Sequence, residues 1–319
     1  MSQRFSRYAW SVLGLNLLVI LWGALVRASK SGEGCGDHWP LCNGTVVPHA
    51  AEIATLIEFT HRLTTGLALI SVVVMAIWAA RAFGPSPVRT AAIWSAVLIF
   101  TEALLGAGLV LFRYVGADQS VGRAVYLSAH LINTLLMLAA MALTAWWGSG
   151  HAPIRFAEDR SAARLLAIAI GAALIVGVSG AVAALSDTLF PATSLSTGWA
   201  ADFSASAPLY VRLRIWHPVI AAVAGGYIAF AALMVSRMVA AARRCGVAVV
   251  ALAGLQLTAG VVNWWLLAPI WMQLVHLMLA DLLWLALVLL TAAALERSPV
   301  WRPQTDAPAL ADNPLPHRV

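Results

Sequence analysis

The segment Glu58-Phe59-Thr60-His61-Arg62 places a carboxylate, an imidazole and a guanidinium within about one and a half helical turns. Glu58 and His61 are three residues apart, so on a helix they share a face. The segment lies near the beginning of a long apolar stretch, and ionisable side chains at membrane depth are costly and usually functional. A histidine on a membrane helix is also a common axial ligand of haem iron. The segment is therefore a candidate haem site, provided that the chain supplies further ligands.

The composition indicates an integral membrane protein. Of the 319 residues, 61% are hydrophobic and 11% are charged, and the mean hydropathy is +0.83, whereas a soluble domain carries about 25% charged residues. The net charge of +6 does not indicate nucleic-acid binding, because the basic residues of membrane proteins gather in cytoplasmic loops. No CxxCH motif is present, so covalent attachment of a c-type haem is not expected.

Eight apolar stretches are long enough to cross a bilayer as helices. They are 8–28, 56–80, 91–112, 123–147, 163–185, 212–236, 246–267 and 271–294. The first lacks a convincing cleavage site and is interpreted as a retained helix. The Pro-rich tail 296–319 is expected to be disordered. The sequence thus predicts an all-α membrane protein with eight transmembrane helices.

The distribution of basic residues predicts the orientation. If the N-terminus is cytoplasmic, thirteen of the 20 basic residues lie on the cytoplasmic side. Both termini are therefore expected in the cytoplasm of a cell whose plasma membrane the chain crosses, and the long loops 29–55 and 186–211 face outward.

An internal repeat divides the chain into two halves, 1–150 and 151–295. Four features recur in the same order at offsets of 146 to 157 residues. The matched features are Gly23-Ala24-Leu25-Val26 with Gly180-Ala181-Val182-Ala183, Glu102-x-x-x-Gly106 with Gln256-x-x-x-Gly260, His61 with His217, and His130 with His276. The repeat predicts two pseudo-symmetric four-helix bundles in parallel orientation.

Each half supplies two histidines, one from each of two helices that run from outside to inside. His61, His130, His217 and His276 all fall in the first turns of such helices, near the outer surface. Bis-imidazole haem ligation inside a four-helix bundle has this arrangement. A single buried histidine is more often a hydrogen-bonded packing residue, but four at matched positions favour ligands.

Haem propionates require cations near the outer surface. Arg62 follows His61, Arg212 and Arg214 precede His217, and Arg123 precedes His130. Guanidinium groups suit carboxylates. Snorkelling of these side chains to the membrane interface is the alternative, and the residues alone leave both open.

The chain resembles the haem A synthase family, membrane enzymes that convert haem O to haem A. The resemblance is carried by the segment 58–62, by the loop Cys35-Gly36-Asp37-His38-Trp39-Pro40-Leu41-Cys42-Asn43-Gly44 and by the other three histidines, and it covers the chain to about residue 295. It implies that His217 and His276 hold a resident haem b. It also implies that His61 and His130 bind the substrate haem O, and that Glu58 is the catalytic carboxylate.

The implied reaction oxidises the C8 methyl group of haem O through an alcohol to a formyl, a four-electron change that needs a redox cofactor. Glu58 would stabilise positive charge at the methyl carbon or move protons from it; alternatively it is a structural partner of Arg62 or a haem ligand. The partners that follow are haem O, a haem O synthase and a quinol or other membrane electron donor. The alternative function is a bis-haem b-type cytochrome that relays electrons from quinol, and a haem exporter is a third.

Cys35 and Cys42 lie seven residues apart in an external loop, where disulfides persist. A zinc site of Cys35, His38, Cys42 and His49 is the alternative, but its spacing is not a usual zinc pattern. The disulfide is therefore favoured, and the resemblance suggests thiol redox chemistry there. Cys245 is expected to be an inert apolar thiol.

Glu102 and Asp281 are the other carboxylates at membrane depth. They form either a proton path or hydrogen bonds between helices. Glycines such as Gly106, Gly180 and Gly260 are expected to allow close helix contact or to make room for a flat macrocycle.

Overall fold

The computed structural model describes residues 2–48, 52–154 and 160–296, and its regular structure is almost entirely helical. The ten α-helices in these ranges are α1 (Ser2–Ala28), α2 (Ile53–Ala82), α3 (Pro87–Leu111), α4 (Val121–Gly148), α5 (Arg160–Leu189), α6 (Leu195–Asp202), α7 (Leu209–Arg214), α8 (Trp216–Met238), α9 (Arg243–Trp265) and α10 (Ile270–Ala294). A short 3₁₀ turn, Ala240–Ala242, precedes α9. His49 of the zinc alternative and the predicted disordered tail beyond Glu296 lie outside the described residues.

The prediction of eight membrane helices is confirmed. Eight helical stretches of 25 to 30 residues are long and apolar enough to cross a membrane. The sixth predicted span is built from two helices, α7 and α8, which meet at Ile215. Pro218 accounts for the break, because proline has no amide hydrogen for the carbonyl of Arg214 and its ring crowds that carbonyl.

Serine caps fix the beginnings of two membrane helices. The Ser86 hydroxyl accepts a hydrogen bond from the amide of Arg89 at the start of α3, and Pro87 occupies the first helical position. Ser120 caps α4 in the same way through the amide of Arg123. The short helix α6, inside the predicted loop 186–211, was not expected from the sequence and begins with a capping box formed by Ser194 and Thr197.

Helix contacts follow the two halves of the chain. In the first half α1 contacts α2 and α4, and α3 contacts α2 and α4, so the four helices form a closed ring. In the second half α5 contacts α8 and α10, and α9 contacts the same two helices. Each half therefore packs as four helices, and the pseudo-symmetry between the halves stays a prediction.

The halves join through α1, α4, α5 and α10. Trp284 of α10 is buried with the core of the first half, and its indole NH donates to the carbonyl of Leu135 at 2.7 Å. Near the predicted outer surface, the Arg27 guanidinium at the end of α1 donates to the Ala184 carbonyl, to Thr188 Oγ1 and to Gln273 Oε1 at 2.7 to 3.0 Å. These contacts fix the first bundle against the second.

Candidate functional site

Each of the four membrane histidines lies against a glycine of the preceding membrane helix. A Cβ placed on Gly23 would come within 2.9 Å of His61 Cε1, and on Gly180 within 3.0 Å of His217 Cε1. The corresponding distances are 3.2 Å from Gly260 to His276 Cε1 and 3.7 Å from Gly106 to His130 Nε2. Three of the four imidazoles thus occupy space that any side chain would take. Gly106, Gly180 and Gly260 were expected to serve helix contact or a macrocycle, and Gly23 was noted only in the repeat, so the contact of each glycine with an imidazole is new.

The imidazoles are paired within each half. The ring centroids of His217 and His276 are 6.5 Å apart and the ring planes are inclined by 85°. His61 and His130 lie close enough for their charges to interact. Each histidine falls six to nine residues into its span, about 9 to 14 Å along the helix axis. The two histidines of each half thus lie near each other, and their role as metal ligands stays a prediction.

The spacing of the second pair fits one haem iron. Metal–imidazole bonds of about 2 Å, plus about 1 Å from nitrogen to ring centre on each side, put two trans ligands about 6 Å apart. Within the described residues, His276 Nδ1 and His61 Nδ1 are buried and have no hydrogen-bond partner. One imidazole of each pair thus has a buried ring nitrogen without a partner among the described residues, and imidazole nitrogens are common ligands of haem iron.

Glu58 lies at the junction of α2 and the external loop and is 3% exposed. Its Oε2 accepts a hydrogen bond from the amide of Cys35 at 2.8 Å. Its Oε1 accepts from Nε and Nη2 of Arg62, at 3.1 and 2.5 Å. These contacts fix the orientation of the carboxylate, as the alternative of a structural partner for Arg62 requires, and its catalytic role stays a prediction.

The disulfide-bonded loop that follows α1 closes directly over the start of α2. The predicted disulfide between Cys35 and Cys42 is confirmed, and both cysteines are buried. Because neither sulfur is free as a thiolate, the zinc alternative does not apply to this loop. Gly34 has no room for a side chain, since a Cβ there would be 2.5 Å from the backbone carbon of Ala54. Arg62 completes the closure by donating to the carbonyls of His38 and Leu41.

The arginines predicted to bind propionates have different surroundings. Arg123 is buried and donates to the carbonyls of residues 115, 116 and 118, so it holds the turn between α3 and α4. Arg214 pairs with Asp202 at 2.6 Å and with Asp187 at 3.2 Å. Arg212 is exposed, and its side chain makes no hydrogen bond or ion pair with the described residues. Arg212 is the best placed of them for a free carboxylate, and the propionate role stays a prediction for all four.

Glu102 contacts a candidate ligand, which the sequence did not indicate. Its Oε1 is 2.9 Å from His130 Nδ1. At the matching position of the second half, Gln256 Nε2 is 3.3 Å from His276 Nε2. The shared spacing of Glu102 and Gln256 from Gly106 and Gly260 was the available signal. Asp281 is also buried, and its Oδ2 has no hydrogen-bond partner in the part of the chain that the structure describes.

Fold and site together define a multi-pass helical membrane protein with two pairs of histidines, one pair in each half, and a disulfide-closed loop at the start of α2. Residues 6–288 match the COX15-CtaA family, described as cytochrome oxidase assembly protein. The chain belongs to this family.

Curated relatives agree with that assignment. The chain is 46% identical over 298 residues, 92% of its length, to a protein of Thermus thermophilus named protoheme IX farnesyltransferase, of which it covers 49%. It is 38% identical over 127 residues to a heme A synthase of Halalkalibacterium halodurans and 47% identical over 97 residues to one of Shouchella clausii. These matches cover 40% and 30% of the chain. The chain spans half or less of the length of these relatives.

Proposed function

We propose that the chain is a haem A synthase that oxidises the C8 methyl group of haem O to a formyl through an alcohol. The observation that carries this proposal is the pairing of the four membrane histidines, each seated on a glycine, in a chain of this family. His61 and His130 would bind the substrate haem, and His217 and His276 a resident haem b. Bound haem b supplies one-electron redox chemistry.

Glu58 is the residue proposed to act on the methyl group. It lies three residues before His61, is buried, and is held in place by Arg62 and the Cys35 amide. A fixed carboxylate favours positive charge that develops nearby and can accept a proton from the alcohol. The closed loop over α2 would exclude water from this reaction.

The setting of the reaction is part of the proposal. Both termini are cytoplasmic and the disulfide loop faces outward across the plasma membrane. The substrate comes from a haem O synthase, in keeping with a relative named for farnesyl transfer to protohaem IX. The change from methyl to formyl removes four electrons and adds one oxygen atom, so dioxygen, or water together with an electron acceptor, must take part. A quinol or another membrane electron carrier exchanges electrons with the resident haem.

The test is to identify the haems that the chain makes and retains. The full chain is co-expressed with a haem O synthase, and extracted haems are separated and identified by mass. The wild type is expected to yield haem B together with haem A and its alcohol precursor. Glu58→Gln should retain haem and lose formyl formation by at least about 100-fold, the usual contribution of an acid–base group.

Glu52→Gln is the matched control, because Glu52 is an exposed carboxylate at the beginning of the same helix and caps nothing with its side chain. It should produce haem A at the wild-type level. Normal haem A output from Glu58→Gln would remove the catalytic role of Glu58. A wild type that carries only unmodified haem B would favour the electron-relay alternative.

A further inference from the structure

The Glu102 side chain of α3 is bound from three directions by α4. Besides its contact with His130 Nδ1, Oε1 accepts a hydrogen bond from Thr134 Oγ1. Oε2 accepts from Asn133 Nδ2 at 2.6 Å. The side chain is 12% exposed, so these partners replace most of its solvent. A carboxylate at membrane depth is costly to bury, and three polar contacts on one helix offset that cost.

A second layer holds the first in place. Thr101 Oγ1 donates to Asn133 Oδ1 at 2.6 Å, and Asn133 Nδ2 also donates to the carbonyl of Leu98 at 2.9 Å. The Thr134 hydroxyl lies 2.9 Å from the carbonyl of His130 itself. The orientation of the Glu102 carboxylate is therefore fixed by the backbones of both helices.

The contact determines which nitrogen of His130 can bind a metal. A carboxylate is an acceptor only, so Nδ1 carries the hydrogen and the lone pair is on Nε2. A histidine ligand that donates its other ring NH to a carboxylate is held in one tautomer and one orientation and becomes a stronger electron donor. Glu102 meets both requirements for His130.

The second half has no equivalent carboxylate. Gln256 occupies the matching place, it is neutral, and it approaches Nε2 of His276. Nδ1 of His276 is buried without a partner in the described part of the chain. The imidazole of His130 thus has an anionic partner, whereas that of His276 has an amide.

We propose that Glu102 is the positioning residue of the first haem site, which orients His130 and makes the iron bound there harder to reduce. The inference rests on the proposed function for the identity of the haem in that site. The negative charge stabilises the oxidised, more positive iron. The iron of the second half lacks this partner, so its reduction midpoint is expected to be the higher of the two.

The experiment measures the reduction midpoints of the two haems. The purified full chain is supplemented with protohaem IX in detergent and titrated spectroelectrochemically, and the sites are assigned with His61→Ala and His276→Ala. Glu102→Gln keeps the size and removes the charge. It is expected to raise the midpoint of the first-half haem by about 59 mV, which is a tenfold change in a one-electron equilibrium. The second-half haem is expected to stay unchanged and serves as the internal control.

Two further variants keep the inference falsifiable. Thr134→Val removes a neighbouring hydrogen bond but leaves the charged carboxylate on His130. The equilibrium constants for reduction of both haems in this variant should therefore stay within about twofold of the wild-type values. Glu102→Asp retracts the carboxylate by one methylene and should shift the first haem in the same direction as Glu102→Gln, but less. The inference would be overturned if neither Glu102 variant shifted the reduction midpoint of the first-half haem, or if the midpoints of both haems shifted equally.

Haem A formation is measured in parallel. A wild type that makes no haem A, combined with a selective shift in Glu102→Gln, would reject the proposed function and keep the positioning role. A wild type that makes haem A, combined with no shift, would reject only the positioning role.

Discussion

The two halves of the molecule place the same pair of histidines among opposite charges. Three residues before His61 stands the carboxylate of Glu58, and three residues before His217 stands the guanidinium of Arg214. Both hold an outer loop: Glu58 through the amide of Cys35, and Arg214 through Asp187 and Asp202. The side chains that contact the histidines differ as well. The carboxylate Glu102 contacts His130 in the first half, and the amide Gln256 contacts His276 in the second.

The two halves therefore share a helical scaffold but surround their histidines with different charged groups. The glycine–histidine contacts are shared, so both halves can seat two imidazoles. The first half adds the buried Glu58, its partner Arg62 and the disulfide loop. The second half has Arg214 paired with two carboxylates and the buried Asp281, but the structure shows no disulfide among its described residues.

The largest expected effect comes from removing a ligand. His276→Ala should remove the haem of the second half and leave that of the first, so that haem per chain falls by about half, because an iron site that loses one of two imidazoles binds far more weakly. His61→Ala should do the reverse. The haem-to-protein ratio, with absorption spectra of each variant, measures the result.

His151→Ala is the control, since His151 stacks on Trp146 at the end of α4, away from the pairs, and should leave haem content unchanged. Loss of both haems from either single ligand variant would contradict this expectation, because it would mean that the two halves do not bind haem independently.

Much of the scaffold was predictable, because length and hydropathy specify membrane helices directly. All eight spans and the Cys35–Cys42 bridge were expected. Each of these depends on residue type and order along the chain. Proline at position 218 was a visible signal for the break at Ile215, although a single continuous span was predicted.

What the sequence could not supply was contact between side chains of different helices. The meeting of Glu102 with His130 depends on how α3 and α4 are rotated about their axes, which apolar periodicity does not define in a membrane. Arg123 was expected near a propionate, but it turns to three backbone carbonyls of the adjacent turn. The sequence does not reveal which carbonyls of a turn need a side-chain donor.

A second prediction, with an effect of intermediate size, tests the glycines that contact the histidine rings. Gly23→Ala puts a methyl group 2.9 Å from His61 Cε1, so it should displace the ring and weaken haem binding in the first half on the order of tenfold, the effect of disturbing ligand orientation. Gly106→Ala makes an ordinary contact at 3.7 Å with His130 and should bind haem as wild type does.

Titration of protohaem IX into the haem-depleted variants measures both affinities. The two substitutions are chemically identical and lie in the same bundle, so a difference between them isolates the distance to the imidazole. Equal affinities would show that these glycines do not orient the histidine ligands.

The smallest effect concerns the junction between the halves. Trp284→Phe removes the buried hydrogen bond to the Leu135 carbonyl and should cost about 1 kcal/mol of stability, the net value of one such bond. Thermal unfolding in detergent, followed at the absorption of each haem, measures it, and Trp265→Phe at a largely exposed position is the control. Because Trp284 packs in the core of the first half from a helix of the second, both haems should be released at the same, lower temperature. Release of one haem well before the other would mean that the two bundles unfold independently, and that their shared helix α10 transmits no stability between them.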